Sequence, residues 1–320
     1  NVMQEFDQGH LTLETKLKSM LPAAKNSNKA NATVLDMLTH QARFQPWIPF
    51  YKATLDSLNR PSTHYYRSEF STEFPIHVAD KLYLRKDYND SIVKTILDSE
   101  LLPKKQYKYS DFTFILFKEY LEMHNKKSLE DLAHDNFFEP LGANSIMYNP
   151  LRKMNANRVI PTENDNYFRH QLVQGYVHDM AAAMQGGISG HAGLFSNALD
   201  VAKVMQMYLQ KGSYGGKTYI SENTFNMFNT CYFCKDGNRR GVGFDKPQLG
   251  NEGPTCGCVS LTSFGHTGFT GTMTWADPEK EIVYVFLSNR TFPDSNAANK
   301  LSKENIRENI QKVIYEAIVE

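Results

Sequence analysis

The chain has 320 residues, with 35 Lys+Arg balanced by 35 Asp+Glu, 41% apolar content and 12% aromatic content. That length allows a large core as one two-lobed domain or two domains, and the composition argues against disorder. The charge balance leaves no net field to draw in nucleic acid or an anionic membrane, and no apolar run approaches a membrane span.

Residues 1 to 21 read as the end of a helix, a turn at Gly9, and a short segment leading to Leu17 and Leu21. No signal peptide opens the chain, and Asn1-Val2-Met3 does not resemble a natural start, so a piece of something longer is expected. Val34 to His40 reads as helical, with Val34, Leu35 and Leu38 on one face, and the prolines at 46 and 49 break it. Residues 57 to 90 show no clean periodicity and read as a surface excursion. Phe112, Ile115, Leu116 and Tyr120 share a helix face, which puts Tyr109-Ser110-Asp111 at that helix's start, where backbone N–H groups and side-chain oxygens cluster. An ordinary Ser or Asp cap is the plainer explanation of that tripeptide taken alone. Ser128 to Asp131 has the shape of a capping box.

Residues 148 to 170 read as a polar connector leading to Gly175-Tyr176-Val177-His178-Asp179, and residues 186 to 196 as a Gly-dense bend containing His191. A helix follows over Ala198 to Gln210, its apolar stripe reading as core. Residues 229 to 262 read as an exposed loop region carrying all four cysteines. Cys231-Tyr232-Phe233-Cys234 and Cys256-Gly257-Cys258 could hold zinc, form disulfides or be incidental thiols; the second pair lacks the two-residue spacer of zinc knuckles. No metal and no cofactor is expected.

The stretch Gly265-His266-Thr267-Gly268-Phe269-Thr270-Gly271-Thr272 runs into Met273-Thr274-Trp275, then a turn at residues 277 to 280, then the β-prone run Glu281 to Asn289. It reads as a hairpin whose first strand carries a site, because glycines in a strand mark close approach by a ligand or another backbone. The alternative is a Gly-rich loop beside a hairpin. Ile306, Ile310, Val313, Ile314, Ala317 and Ile318 form an amphipathic stripe expected to cover one face of the sheet.

In order and spacing these segments resemble the serine β-lactamase and penicillin-binding-protein superfamily, whose three motifs are Ser-x-x-Lys, Tyr/Ser-x-Asn and Lys-Thr-Gly. Tyr109-Ser110-Asp111 matches the second, with Asp where Asn is commoner, and His266-Thr267-Gly268 matches the third, with His for Lys. Leu35-x-x-Leu38-Thr39-His40, Pro140-Leu141-Gly142 and Gly193-Leu194-Phe195-Ser196 add to the likeness. The resemblance implies an α+β fold: an antiparallel sheet flanked by helices, from about residue 201, plus a mostly helical lobe over about 22 to 200, in a single domain of residues 1–320. It also implies that the strands and nucleophile helix preceding this stretch lie upstream of Asn1. The in-chain Ser91-Ile92-Val93-Lys94 sits too close to Tyr109 for the family's spacing and reads as exposed helix.

By this resemblance Tyr109 would be the general acid/base, Asp111 would orient it or contact substrate, and His266 would be a donor titrating near neutral pH. Thr267, Gly268 and Phe269 would form the edge, with the Phe269 N–H as one oxyanion donor. Ser110, His178, Asp179 and His191 would line the cleft as substrate-binding residues; for the His and Asp residues, structural hydrogen bonding is the plainer alternative. The glycine-flanked histidine segments are most similar to a subgroup of exported hydrolases, found alone or fused behind a β-N-acetylglucosaminidase. The expected function is hydrolysis of a cell-wall muramyl-peptide amide, by a parent protein whose nucleophile this chain lacks, leaving the chain inactive. An esterase, β-lactamase or D-Ala peptidase of the same fold, and a non-catalytic binding module, are the alternatives. The expected setting is periplasmic or otherwise exported, with a cell-wall fragment or small molecule as partner, and with dimerisation through an open sheet edge.

Overall fold

A computed structural model describes residues 1–248, 253–295 and 299–318. The chain begins with α1 (Val2–Asp7), reaches α2 (Val34–Leu38), whose Thr33 cap accepts the Asp36 N–H, and then forms a small sheet. That sheet contains β1 (Tyr66–Arg67), β2 (Ile76–Ala79) and β3 (Leu82–Leu84) in the order β1-β3-β2. The stretch read as a surface excursion is largely exposed and carries this small three-stranded sheet. Its alternation is hidden by a register shift between His77 and Ala79.

Helix α3 (Tyr88–Asp98) precedes α4 (Phe112–Asn125), which buries Phe112, Ile115, Leu116, Phe117, Tyr120 and Leu121 in the main core. The polar connector also contains a hairpin, β4 (Pro161–Asp165) with β5 (Gln171–Gln174), and a short helix α5 (Met180–Met184) follows. Helix α6 (Ala198–Leu209) then lies against the C-terminal sheet, joining it through Met205, Phe225, Phe264 and Ala276. Leading into that sheet, both cysteine pairs, Cys231–Cys234 and Cys256–Cys258, are disulfides.

The Gly-rich stretch is two strands rather than one. Strand β6 (Phe264–Thr267) turns at Gly268 to Thr272 into β7 (Met273–Asp277), which pairs with β8 (Ile282–Phe286) in the antiparallel order β6-β7-β8. The turn closes with the Gly268 N–H donating to Thr272 O at 2.8 Å. Opposed pairs are Gly265 with Trp275 and His266 with Thr274, so Phe264 and His266 share the face toward α6 while Gly265 lies over the indole on the other. A Cβ on Gly265 would sit 2.2 Å from Thr274 O and 2.4 Å from Trp275 Cε3. Gly265→Ala is therefore expected to cost about 1–3 kcal/mol through overpacking, read as a lower urea midpoint. An unchanged midpoint would show that Trp275 can yield.

Helix α7 (Ile306–Glu316) docks the opposite way from expectation. Its inward ridge is Arg307, Gln311 and Tyr315, each four residues apart. Tyr284 donates to Arg307 O (3.0 Å), Cys256 N–H donates to Gln311 Oε1 (2.9 Å), and Tyr315 donates to Asp277 Oδ2 (2.8 Å). Ile310, Val313 and Ile314 face outward and are exposed. Asp277 is fully buried, and the Tyr315 hydroxyl helps satisfy its carboxylate, which an apolar face could not do.

Candidate active site

The two motif segments meet. The Tyr109 and His266 rings lie 6.0 Å apart, and the His40 ring packs 4.4 Å from Tyr109. Between them lies Arg240, only 1% exposed, with its guanidinium 5.7 Å from the Tyr109 ring centroid. Arg240 is held by an ion pair to buried Asp245, and it donates from Nη2 to His266 Nε2 at 3.2 Å. The proton positions are mutually consistent. His266 Nδ1–H donates to Thr267 O (2.7 Å), leaving Nε2 free to accept from Arg240. At His40, the Ser110 N–H donates to Nδ1 at 3.2 Å, so the ring proton sits on Nε2 and the Arg240 contact there is proximity without a shared hydrogen.

This arrangement corrects the expected role of His266. Burial, then the Arg240 charge, push its pKa below the ordinary histidine value, with Asp245 opposing. The ring is therefore neutral at pH 7, and the fixed positive charge at this motif belongs to Arg240. His40 is pushed down to about 2 by burial, Arg240 and His266. The Tyr109 phenol is raised well above its usual range by burial and by Asp111, which together outweigh Arg240, so it holds its proton at rest.

A cavity of about 280 Å³ opens here, lined by Tyr109, His191, Gly265, His266 and Thr274, with Phe114, Met205 and Phe244 as its apolar wall. Along the edge of β6, Gly265 exchanges both backbone hydrogen bonds with Asp245, which leaves the open edge to begin at Thr267. Past Gly268, the Phe269 N–H makes no hydrogen bond among the described residues, while its exposed ring packs 5.0 Å from His178 and under Arg290.

The remaining expected residues form a second group beside the first. Asp179 caps α5 by accepting the Ala182 N–H (2.8 Å) and pairs with His191 Nε2 at 2.7 Å. His191 Nδ1 lies 2.9 Å from Ser189 Oγ, whose own hydrogen goes to Gln185 Oε1 (3.3 Å). Ser189 thus accepts from His191, which fits a doubly protonated ring. Burial would lower the His191 pKa, but Asp179 raises it above the ordinary value, and Asp179 is held low in return. The Ser189–His191–Asp179 line is therefore an ion pair with a buried acceptor, not an activated nucleophile. His178 gives its backbone carbonyl to Arg169 (2.9 Å) and places its ring on Phe269. Ser110 does not face the cleft: its buried hydroxyl donates to Gln45 O at 2.6 Å, so it acts as a structural clamp rather than a substrate contact.

Asp111, with Asp179 and His191 nearby, is raised from the ordinary 3.8 to about 6, first by burial and then by Asp179, while His191 opposes. A raised acid pKa destabilises the fold above the unfolded value of 3.8, and the penalty is complete above about 6. Asp111→Asn is thus expected to gain stability over the wild type at pH 7–8, with the gain vanishing below about pH 4 in urea titrations run across pH. A gain independent of pH would contradict this account.

The in-chain Ser-x-x-Lys does not form a pair. Ser91 is exposed and donates to Asp87 O (3.4 Å), and Lys94 turns away to Asp98.

A family model described as Beta-lactamase matches residues 1–305. A protein of Escherichia coli O157:H7 that carries the provisional name D-alanyl-D-alanine carboxypeptidase is 33% identical over 225 residues, which is 66% of this chain and 51% of that one. The chain thus spans about half the length of the first curated relatives it matches. Among solved structures, a penicillin-binding-protein homologue from Caulobacter crescentus aligns with a TM-score of 0.57 at 14% identity, over 90% of this chain and 73% of that one. A D-stereospecific amidohydrolase from Streptomyces aligns at 0.55 and 15% identity, over 87% and 74%. At such identities the structures speak for the α+β fold alone. With a family model covering all but its last residues and the fold in agreement, this chain belongs to the Beta-lactamase family.

Proposed function

We propose that this chain forms the proton-transfer and oxyanion side of an acyl-transfer site that cleaves a cell-wall peptide amide, most simply a muramyl-peptide amide. The observation that carries this reading is the convergence of the Tyr109 phenol and the neutral His266 ring on one cavity, with the buried Arg240 cation against both rings, beside a strand edge whose Phe269 N–H makes no hydrogen bond among the described residues. A substrate amide would pair with the edge from Thr267 onward. Its developing oxyanion would meet the Phe269 N–H. Tyr109, protonated at rest, would give its proton to the departing amine nitrogen and take up the attacking hydroxyl's proton in its place, with Arg240 stabilising the phenolate in between.

A D-alanyl peptide is the second reading, favoured by the provisional name of the E. coli relative and by the D-stereospecific Streptomyces neighbour. Export is supported by the two disulfides, which persist in oxidising compartments. The glycosidase fusion and a homodimer through the free edge of β8 belong to the same proposal.

As 320 residues the chain is expected to be inactive, because Ser91 and Lys94 are committed elsewhere. The test compares this chain with a version extended upstream to the length of its relatives. Fluorophosphonate labelling followed by mass spectrometry, and turnover of muramyl-peptides, D-alanyl peptides and simple esters, are the readouts. Labelling and turnover confined to the extended version support the reading. Labelling of this chain at Ser91, or no labelling of either, overturns it, the latter in favour of a binding module.

A further inference from the structure

At the end of α4 away from Tyr109, three side chains from separate segments converge. Glu5 lies on α1 and is 3% exposed, His10 follows the turn at Gly9, and His124 is in the last turn of α4. His10 Nδ1 is 3.0 Å from Glu5 Oε2, His124 Nε2 is 3.5 Å from the same oxygen, and the two ring nitrogens are 3.2 Å apart. We propose that Glu5, His10 and His124 bind a divalent transition metal in tetrahedral geometry, zinc by the chemistry of the donors.

The triangle has the size the ion demands. With Zn–N and Zn–O bonds of about 2.0–2.1 Å, donors at the corners of a tetrahedron stand about 3.3 Å apart. The three measured edges bracket that value. Hydrogen bonding serves this geometry poorly. A proton on either ring can satisfy one edge, yet both nitrogens aim at the same oxygen and at each other. One cation inside the triangle satisfies all three donors.

Two imidazoles with one carboxylate is a zinc donor set, and the supporting contacts are of the kind that orient such ligands. Asn125 Nδ2 donates to Glu5 Oε1 (2.9 Å), Tyr120 donates to Oε2 (3.4 Å), and the His124 ring stacks on Tyr120 at 5.3 Å. Both histidine side chains are partly solvent-exposed, at 43% and 37%, so water can fill the fourth corner. His124 lies twelve helical steps beyond Phe112, a rise of roughly 18 Å, and Tyr109 precedes the other end of that helix. The metal site would clamp the N-terminal helix to the core helix and take no part in the chemistry of the cleft. The donors would also take copper or nickel, which follow the general affinity order, while tetrahedral geometry favours zinc.

Chelator-treated protein is titrated with Zn²⁺ by calorimetry and with Co²⁺ by visible absorption. One equivalent of each is expected, with intense tetrahedral Co²⁺ bands that Zn²⁺ abolishes, and with a higher melting temperature in the presence of Zn²⁺. His10→Ala and His124→Ala should fold normally by circular dichroism, since both rings are partly exposed, yet weaken Zn²⁺ binding by ~100-fold or more. Asn125→Ala should weaken it by about 10–100-fold. His134→Ala, in the exposed group with Asp135 and Glu139, should leave binding unchanged. No stoichiometric binding, a weak octahedral Co²⁺ spectrum, or full binding by a His10→Ala/His124→Ala double variant would overturn the proposal.

Discussion

Tyr109→Phe, made in a catalytically competent version of the protein, is expected to lower kcat/KM by about 10²–10⁴-fold while leaving the urea midpoint unchanged. The separation of the two readouts follows from the site. Among the described residues the Tyr109 hydroxyl makes no hydrogen bond, so removing it orphans nothing in the fold. The ring contacts with His40 and His266 survive in Phe. What is lost is the group that can move a proton. Burial and Asp111 keep that proton in place at rest, and Arg240 can stabilise the charge only once the proton has left. Arg240→Met should therefore also lower turnover, but it must lower stability as well, since it leaves the buried Asp245 carboxylate with Arg239 at 3.3 Å as its one cationic partner among the described residues. A loss below tenfold for Tyr109→Phe, measured on an ester and on a cell-wall peptide, would remove the phenol from the mechanism.

The pairing of Tyr109 with His266 was legible because each sits in a short motif whose place in the chain the family fixes. Arg240 was not. It lies in a cysteine-bearing stretch that reads as exposed loop, and nothing in its spacing announces a residue buried between two histidines; the one available hint was an Arg-Arg pair ahead of Asp245. His40 was legible as part of a motif but not as the buried ring behind Tyr109, which depends on where Tyr109 packs. The hairpins at residues 76 to 84 and 161 to 174 were hidden because their strands are three to five residues long. Register shifts at His77/Ala79 and Pro161/Glu163 break the two-residue alternation on which strand reading rests. In α7 the period was read correctly and the buried face was not. Periodicity locates a stripe, but only tertiary partners decide which side turns inward, and here Asp277 and the Cys256 N–H require polar ones.

Arg169→Met is expected to destabilise the chain by about 3–5 kcal/mol, read as the first transition in urea. Arg169 and its partners Glu163 and Asp165 are at most 1% exposed at their side chains. The guanidinium reaches Asp165 Oδ2 at 2.6 Å and Glu163 Oε1 at 2.8 Å, and it donates to the carbonyls of Val177 (2.6 Å) and His178 (2.9 Å). It thus ties the β4–β5 hairpin to the segment that delivers His178 and Asp179 to the cleft. Met fills similar volume, so the loss would come from two stranded carboxylates and two freed carbonyls rather than from a void. Two further results distinguish this cause. Burial would raise the Asp165 pKa, but Arg169 holds it below the ordinary 3.8, so that contribution is present above pH 3.8 and is lost as pH falls below it. The variant should lack this acid-dependent loss. Adding Glu163→Gln and Asp165→Asn to Arg169→Met should recover much of the stability, because the stranded charges disappear with their partner. If Arg169→Met alone unfolds within about 1 kcal/mol of the wild type, the triad does not hold this segment, and the placement of Asp179 must rest on its cap of α5.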